Sequence, residues 1–244
     1  MRKKLVIGHL FPELLNMYGD KGNVKCLENR LLWRDMEAEI RSFSVDDALD
    51  FSDIDILILG GGADKEQKTA FEKLSGVKES LASYVEAGGV LLALCGGYSM
   101  LGKTWVLFGE EIEGLSLLPI DSQKGTKRQI GDVIIRTNYT GEESLVVGFE
   151  NHSDLTYVQE GKAFGTVVSG FGNNGEDASC GAVYKNLLGT YLHGPILPKN
   201  PALADSLLAR ALEKKYGEKV NLFPLDDRAE QEAHDYIVDK YAKI

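Results

Sequence analysis

Only three cysteines occur in 244 residues, Cys26, Cys95 and Cys180, and no two of them have Cys-x-x-Cys spacing. Thiols that are odd in number and widely spaced exclude a disulfide framework and a zinc ribbon as the source of stability. Positive charge is scarce too, with 27 Lys and Arg against 37 Asp and Glu, a formal net charge of -10. Such a chain lacks the field on which nucleic-acid binding depends, and the short cluster Lys124, Lys127 and Arg128 is too small to supply it. Long apolar runs are missing: the longest stretch without formal charge, 87–102, contains five glycines and falls short of the ~18 residues of a transmembrane candidate. The basic start Met1-Arg2-Lys3-Lys4 imitates the lead of a signal peptide, but His9 and Glu13 interrupt the apolar run behind it and no small-residue cleavage site appears. A first core strand is expected there, and the cytoplasm is the expected compartment.

What is present alternates. Strand-length apolar runs at 4–10, 39–45, 54–59 and 90–94 are interleaved with helical patterns at 22–37, 64–74 and 77–87. This order predicts an α/β fold with a mostly parallel central sheet covered by helices. Short strands expected at 130–137, 144–150, 163–169, 181–185 and 187–192 suggest a mixed or antiparallel extension of that sheet, and helices are expected at 201–216 and 227–241. With no repeat and no long linker, one domain over 1–244 is expected, its core at 5–201 and its C-terminal helices, 202–243, packed on it. Asp20, after Tyr18-Gly19, suits a helix cap.

The chemistry concentrates where the strand Val90–Leu94 runs into Cys95-Gly96-Gly97. A nucleophile on a sharp strand-to-helix turn has small neighbours to relieve crowding, and the N–H groups of the helix start favour thiolate and can hold an oxyanion. The competing view, a small buried thiol, loses weight at the end of a central strand, where open α/β sheets place their sites. A thiol needs a base, and four histidines are available. His9 lies inside the first strand, and His234 in a polar helix is expected to be a solvated surface residue. His193, closing Leu187-Leu188-Gly189-Thr190-Tyr191-Leu192-His193-Gly194, is favoured over His152. The loop Gly60-Gly61-Gly62-Ala63-Asp64-Lys65 fails as a dinucleotide fingerprint, because Lys65 stands where glycine is required. Its expected role is to bring the N–H groups of Gly61 and Gly62, with that of Gly96, to an oxyanion hole beside Cys95.

On Cys95-Gly96-Gly97-Tyr98 with Leu101-Gly102, Gly148-Phe149-Glu150-Asn151-His152 and Gly189-Thr190-Tyr191-Leu192-His193-Gly194, the chain resembles the class I glutamine amidotransferases, in the branch found in cobyric acid and cobyrinate diamide synthases. Three further strings, Leu15-Asn16-Met17-Tyr18-Gly19-Asp20-Lys21-Gly22-Asn23, Gly170-Phe171-Gly172-Asn173-Asn174 and His193-Gly194-Pro195-Ile196-Leu197-Pro198-Lys199-Asn200, narrow this. They resemble the amidotransferase subunits of lipid II isoglutaminyl synthases. The resemblance implies a three-layer sandwich with a flavodoxin-like sheet, Cys95 attacking the side-chain amide of glutamine, His193 serving as base and acid, and Arg128 binding substrate. It also implies no cofactor or metal in this chain. ATP and Mg²⁺ would sit on a MurT-type, Mur-ligase-like partner that amidates the D-glutamate α-carboxylate of the lipid II stem peptide at the inner face of the membrane. The usual His-Pro-Glu is replaced by His193-Gly194-Pro195, so the third carboxylate is absent or comes from elsewhere, another chain included. Ser99 stands where related elbows often have Gln. A stand-alone thiol hydrolase of γ-glutamyl compounds, a cobyrinate-type subunit and a non-catalytic subunit are the alternatives.

Overall fold

A computed structural model describes residues 2–242. In chain order it forms β1 (Lys4–Leu10), α1 (Lys21–Leu32), β2 (Glu37–Phe43), β3 (Ile56–Leu59), α2 (Asp64–Ser75), α3 (Lys78–Glu86), β4 (Val90–Leu94) and a single turn, α4 (Gly96–Ser99). The strands β5 (Thr104–Leu107), β6 (Glu110–Glu113), β7 (Ile120–Thr137), β8 (Ser144–Val158), β9 (Gly165–Ser169), β10 (Ser179–Cys180), β11 (Ala182–Tyr184) and β12 (Leu187–Thr190) come next. Two helices end it, α5 (Pro201–Tyr216) and α6 (Arg228–Tyr241).

The central sheet has the order β11-β12-β4-β3-β1-β2, parallel throughout except for β11. From β2 to β12 this is the flavodoxin-like order, whose ligand crevice lies beyond the carboxyl ends of the strands. Its strands are apolar without alternation because both faces are covered: every residue of β3 and β4 is buried. The pleat sends neighbours to opposite layers. Leu57, Leu59, Leu91 and Ala93 pack with Ala70, Leu74, Leu81 and Val85 of α2 and α3, whereas Ile56, Ile58, Leu92 and Leu94 pack with Leu27 and Leu31 of α1 and Leu203 and Leu207 of α5.

Four expectations change. The first helix stops at Leu32 instead of 37, because Asp35 takes a positive φ of 55° and Glu37 already enters β2, where it pairs with Lys4. The expected extension is divided: β11 and β12 do join the central sheet, β11 antiparallel, while the other strands form a second six-stranded sheet, in which β10-β9-β7-β5-β6 run side by side and β8 pairs with β7. Its long hairpin begins at Ile120, ten residues before the pattern showed, because the Gln123–Gln129 stretch is mostly exposed and carries no apolar alternation. His234 is buried, with Nε2 3.2 Å from the Leu145 carbonyl, so α6 is docked on β8 through it. A buried charge cluster holds the same region, Arg30 pairing with Asp205 and Asp227 while Arg34 pairs with Asp205 and donates to the Phe223 carbonyl. No helix among the described residues is long and apolar enough to cross a membrane.

Candidate active site

Cys95 is the first residue beyond β4. Its backbone sits at φ 52°, ψ −118°, a region a non-glycine residue occupies only when its surroundings enforce it. Those surroundings are close-packed. A Cβ on Gly97 would lie 2.6 Å from the Gly60 carbonyl oxygen, and one on Gly61 would lie 2.9 Å from the Cys95 Cβ. The two glycine turns therefore interlock, and the Cys95 N–H is pinned by donation to the Thr190 carbonyl at 2.9 Å. The thiol opens on a cavity of about 420 Å³ whose wall also includes Gly62, Gly96, Tyr18, Arg128 and His152. Protein encloses the sulfur on its other sides, and that burial pushes its pKa up to about 12, against the pull of the Gly96 N–H and Arg128. A thiol raised in this way would need a base before acting as a nucleophile.

The parallel pairing of β12 with β4, Thr190 opposite Leu94, carries Tyr191–His193 along the same edge as Cys95. His193 is fastened by its own backbone, which exchanges hydrogen bonds with Phe149 at 3.0 and 3.2 Å, and its ring stacks on Tyr18 with centroids 3.7 Å apart. Both ring nitrogens are buried without a partner among the described residues, and burial lowers the pKa to about 4. His193 lies behind Tyr18 instead of on the cavity wall. His152 is on that wall, with one nitrogen bonded and the other without a hydrogen-bond partner. Nδ1 donates to the Asp154 carbonyl at 2.9 Å, Nε2 faces Glu150 at 3.7 Å, and the ring lies flat on Tyr191. Glu150, fully buried, accepts the N–H groups of Phe171 and Gly172, so it anchors that loop, and it is not hydrogen-bonded to His193.

Arg128, on the bulge of β7, reaches this cavity, its Nε donating to Asn151 Oδ1 at 2.5 Å. Of the glycines expected to donate to an oxyanion, Gly61 is corrected: its N–H is donated to the Asp20 carboxylate at 3.1 Å. Gly62 N–H has no partner among the described residues, and Gly96 N–H faces the thiol. Asp20 is likewise not a side-chain helix cap. It is buried, its pKa raised by burial to about 6, and it braces the Gly60–Gly62 turn. The signal available in the sequence was its place in the β1–α1 loop, at the carboxyl edge of the sheet. The string Gly97-Tyr98-Ser99-Met100-Leu101-Gly102-Lys103-Thr104 has phosphate-loop spacing. The N–H groups of Met100, Leu101, Gly102 and Lys103 all donate to backbone carbonyls, so these four are not free to cradle a phosphate.

Asp20 makes a stability prediction. Its folded pKa of about 6 exceeds the ordinary 3.8, so the folded state holds its proton more tightly. The favourable contribution exists at low pH and is lost as pH rises through 6, leaving an ionised form less stable by up to about 3 kcal/mol at pH 8. Asp20→Asn retains an acceptor for Gly61 N–H without the charge. Thermal melts should show the variant higher by roughly 5–10 °C at pH 8, with the difference vanishing below about pH 4. An equal or lower melting temperature at pH 8 contradicts this.

A strained cysteine at the carboxyl edge of a flavodoxin-like sheet, facing an arginine across a polar cavity, is an arrangement suited to an α/β enzyme with a thiol nucleophile. Residues 6–201 match the CobB/CobQ-like glutamine amidotransferase domain, and the chain belongs to that family. The subunit GatD of the glutamine-hydrolysing lipid II isoglutaminyl synthase of Staphylococcus aureus is 40% identical over 97% of this chain and 96% of its own. Its Streptococcus pneumoniae counterpart is 38% identical over 99% and 92%. A probable cobyric acid synthase of Methanococcus maripaludis is 30% identical over 78% of this chain but only 39% of its own. Among solved structures, PurLQS from Thermotoga maritima shares the fold with a TM-score of 0.59 at 15% identity, covering 89% of this chain and all of that one.

Proposed function

We propose that the chain is the glutaminase subunit of a lipid II isoglutaminyl synthase. The observation that carries the glutaminase reading is the cavity joining Cys95 to Arg128; the near-full-length likeness to the two GatD subunits supports the lipid II assignment. Cys95 Sγ attacks the side-chain carbonyl carbon of glutamine and its proton passes to His193. The tetrahedral oxyanion is held by the N–H groups of Gly62 and Gly96. The C–N bond breaks as His193 returns the proton to the departing ammonia, leaving a γ-glutamyl thioester. Water, deprotonated by the same imidazole, then releases glutamate and restores the thiol. Two observations favour His193 as this base over His152: neither of its nitrogens has a partner, whereas one of those of His152 is bonded to the Asp154 carbonyl, and it stands beside the elbow strand.

Ammonia set free in water would be protonated and lost, so its acceptor has to be close. A MurT-type, Mur-ligase-like partner carrying ATP and Mg²⁺ would activate the D-glutamate α-carboxylate of the lipid II stem peptide in the cytoplasm, at the inner face of the membrane. Glutamine carrying heavy nitrogen in its side-chain amide tests this. With the copurified partner, lipid II and ATP, the label should appear in the stem-peptide amide; unlabelled product formed from a background of free ammonia contradicts the transfer.

Arg128 gives a narrower prediction. Its guanidinium suits the substrate α-carboxylate, and loss of such a charge-assisted contact is worth about 10- to 100-fold. Arg128→Ala should raise KM for glutamine by that factor while kcat falls far less, and Arg128→Lys should recover only part of it. A KM that does not move in steady-state glutaminase assays rules out the contact.

A further inference from the structure

Gln67, a polar side chain outside the catalytic set, lies against both oxyanion turns. It is on α2, in the turn after Ala63, and helix geometry tilts its side chain back toward the helix start. There its Nε2 donates to the Gly62 carbonyl at 2.6 Å. The same carboxamide fills the space over Gly96, where an added Cβ would lie 2.3 Å from both its Cδ and its Oε1. One side chain thus touches the two residues whose N–H groups the oxyanion requires, and it lines the cavity with Cys95.

The physical need is specific to this turn. Gly62 has no Cβ to restrict it, so its flanking peptides can rotate at little cost. A rotation that turned a carbonyl toward the cavity would present the wrong end of the dipole to a developing negative charge. Two bonds prevent this. The Met17 N–H donates to the Gly61 carbonyl at 3.1 Å, which directs the Gly62 N–H to the opposite side of that trans peptide. Gln67 fixes the next peptide in the same way through the Gly62 carbonyl. A Gly62 held from both sides keeps one orientation, and the tight fit of the carboxamide over Gly96 keeps the elbow turn in register with it.

We infer that Gln67 is a positioning residue that holds the backbone of Gly62 and Gly96 aligned with Cys95 for the oxyanion. This rests on the glutaminase reading above. Its effect should be confined to the transition state, because the resting substrate amide gains little from the oxyanion hole.

Two variants of the full chain test it. Gln67→Met keeps the length and shape and loses the donor; Gln67→Glu also loses the donor and sets a carboxylate against the Gly62 carbonyl. Both should lower kcat for glutamine hydrolysis, Gln67→Glu by about 100-fold and Gln67→Met by about 10-fold or more, while KM changes less than about twofold. A second readout separates alignment from loss of fold. A chloroketone analogue of glutamine passes through a tetrahedral oxyanion on its way to alkylating Cys95, whereas iodoacetamide does not. Chloroketone inactivation should slow in parallel with kcat while iodoacetamide alkylation stays at the wild-type rate. Full kcat in both variants overturns the inference, as does an equal slowing of the two reagents, which marks a merely structural role. Failure of the wild-type chain to release glutamate or to react with the chloroketone contradicts the glutaminase reading instead.

Discussion

Replacing Cys95 with alanine should abolish glutamine-dependent amidation by the complex and leave amidation supported by added ammonia intact. The loss expected for removing a covalent nucleophile is at least about 10⁴-fold in the glutamine reaction. The contrast is sharp because the two nitrogen sources share every step after ammonia is released. Ammonia supplied in solution bypasses the thioester but still needs the activated acceptor, so the second reaction reports that the complex is assembled. Alanine is the proper control residue. It keeps a Cβ at φ 52° and therefore the strain and the packing against Gly61, whereas glycine would relax the turn and change two things at once. Parallel assays with glutamine and with ammonium salt settle it, and normal glutamine use by Cys95→Ala removes the thiol from the mechanism.

His193→Ala should lower glutamine hydrolysis by about 10²- to 10⁴-fold, the range of a lost general base, and His152→Ala by clearly less. The difference comes from where the nitrogens go. Both nitrogens of His193 are without a partner, while Nδ1 of His152 is held by the Asp154 carbonyl and its Nε2, the one left open, faces the Glu150 carboxylate at 3.7 Å. The pH profile carries the same information. With its pKa lowered to about 4, His193 is neutral, and so able to accept a proton, from mildly acidic pH upward. Asp20 and Asp154, held at about 6, both work against ionisation of Cys95, so their protonation on acidification favours the thiolate. The acid limb of kcat/KM should therefore lie below about pH 5 and not at the 6.5 of an ordinary imidazole. A limb at 6.5, or full activity in His193→Ala, assigns the base elsewhere.

The parts of this site that were legible in the sequence are those encoded by adjacent residues. Continuous burial on two faces wrote β3 and β4 as unbroken apolar runs, and the glycines after Leu94 marked the elbow because crowding at a strained nucleophile leaves room for nothing larger. What stayed hidden depends on contacts between distant segments. Gly61 lost its role as an oxyanion donor to Asp20, which is 41 positions away. His234 looked solvated because its helix is polar, yet Leu145, 89 positions earlier, covers it. The outer half of the β7–β8 hairpin was invisible because an exposed strand needs no apolar alternation, and it is that half which brings Arg128 to the cavity. Gln67 gave no signal at all, since nothing in Lys65-Glu66-Gln67-Lys68 separates a surface amide from one folded back on Gly62.

The most direct test of covalent catalysis at Cys95 is peptide mapping of the full chain quenched in acid during turnover of glutamine. The expected result is a γ-glutamyl group on the peptide that contains Cys95, absent from every other peptide and absent in Cys95→Ala. Glutamate formed at equal rates by the wild-type chain and Cys95→Ala, with no γ-glutamyl group attached to the protein, would contradict it.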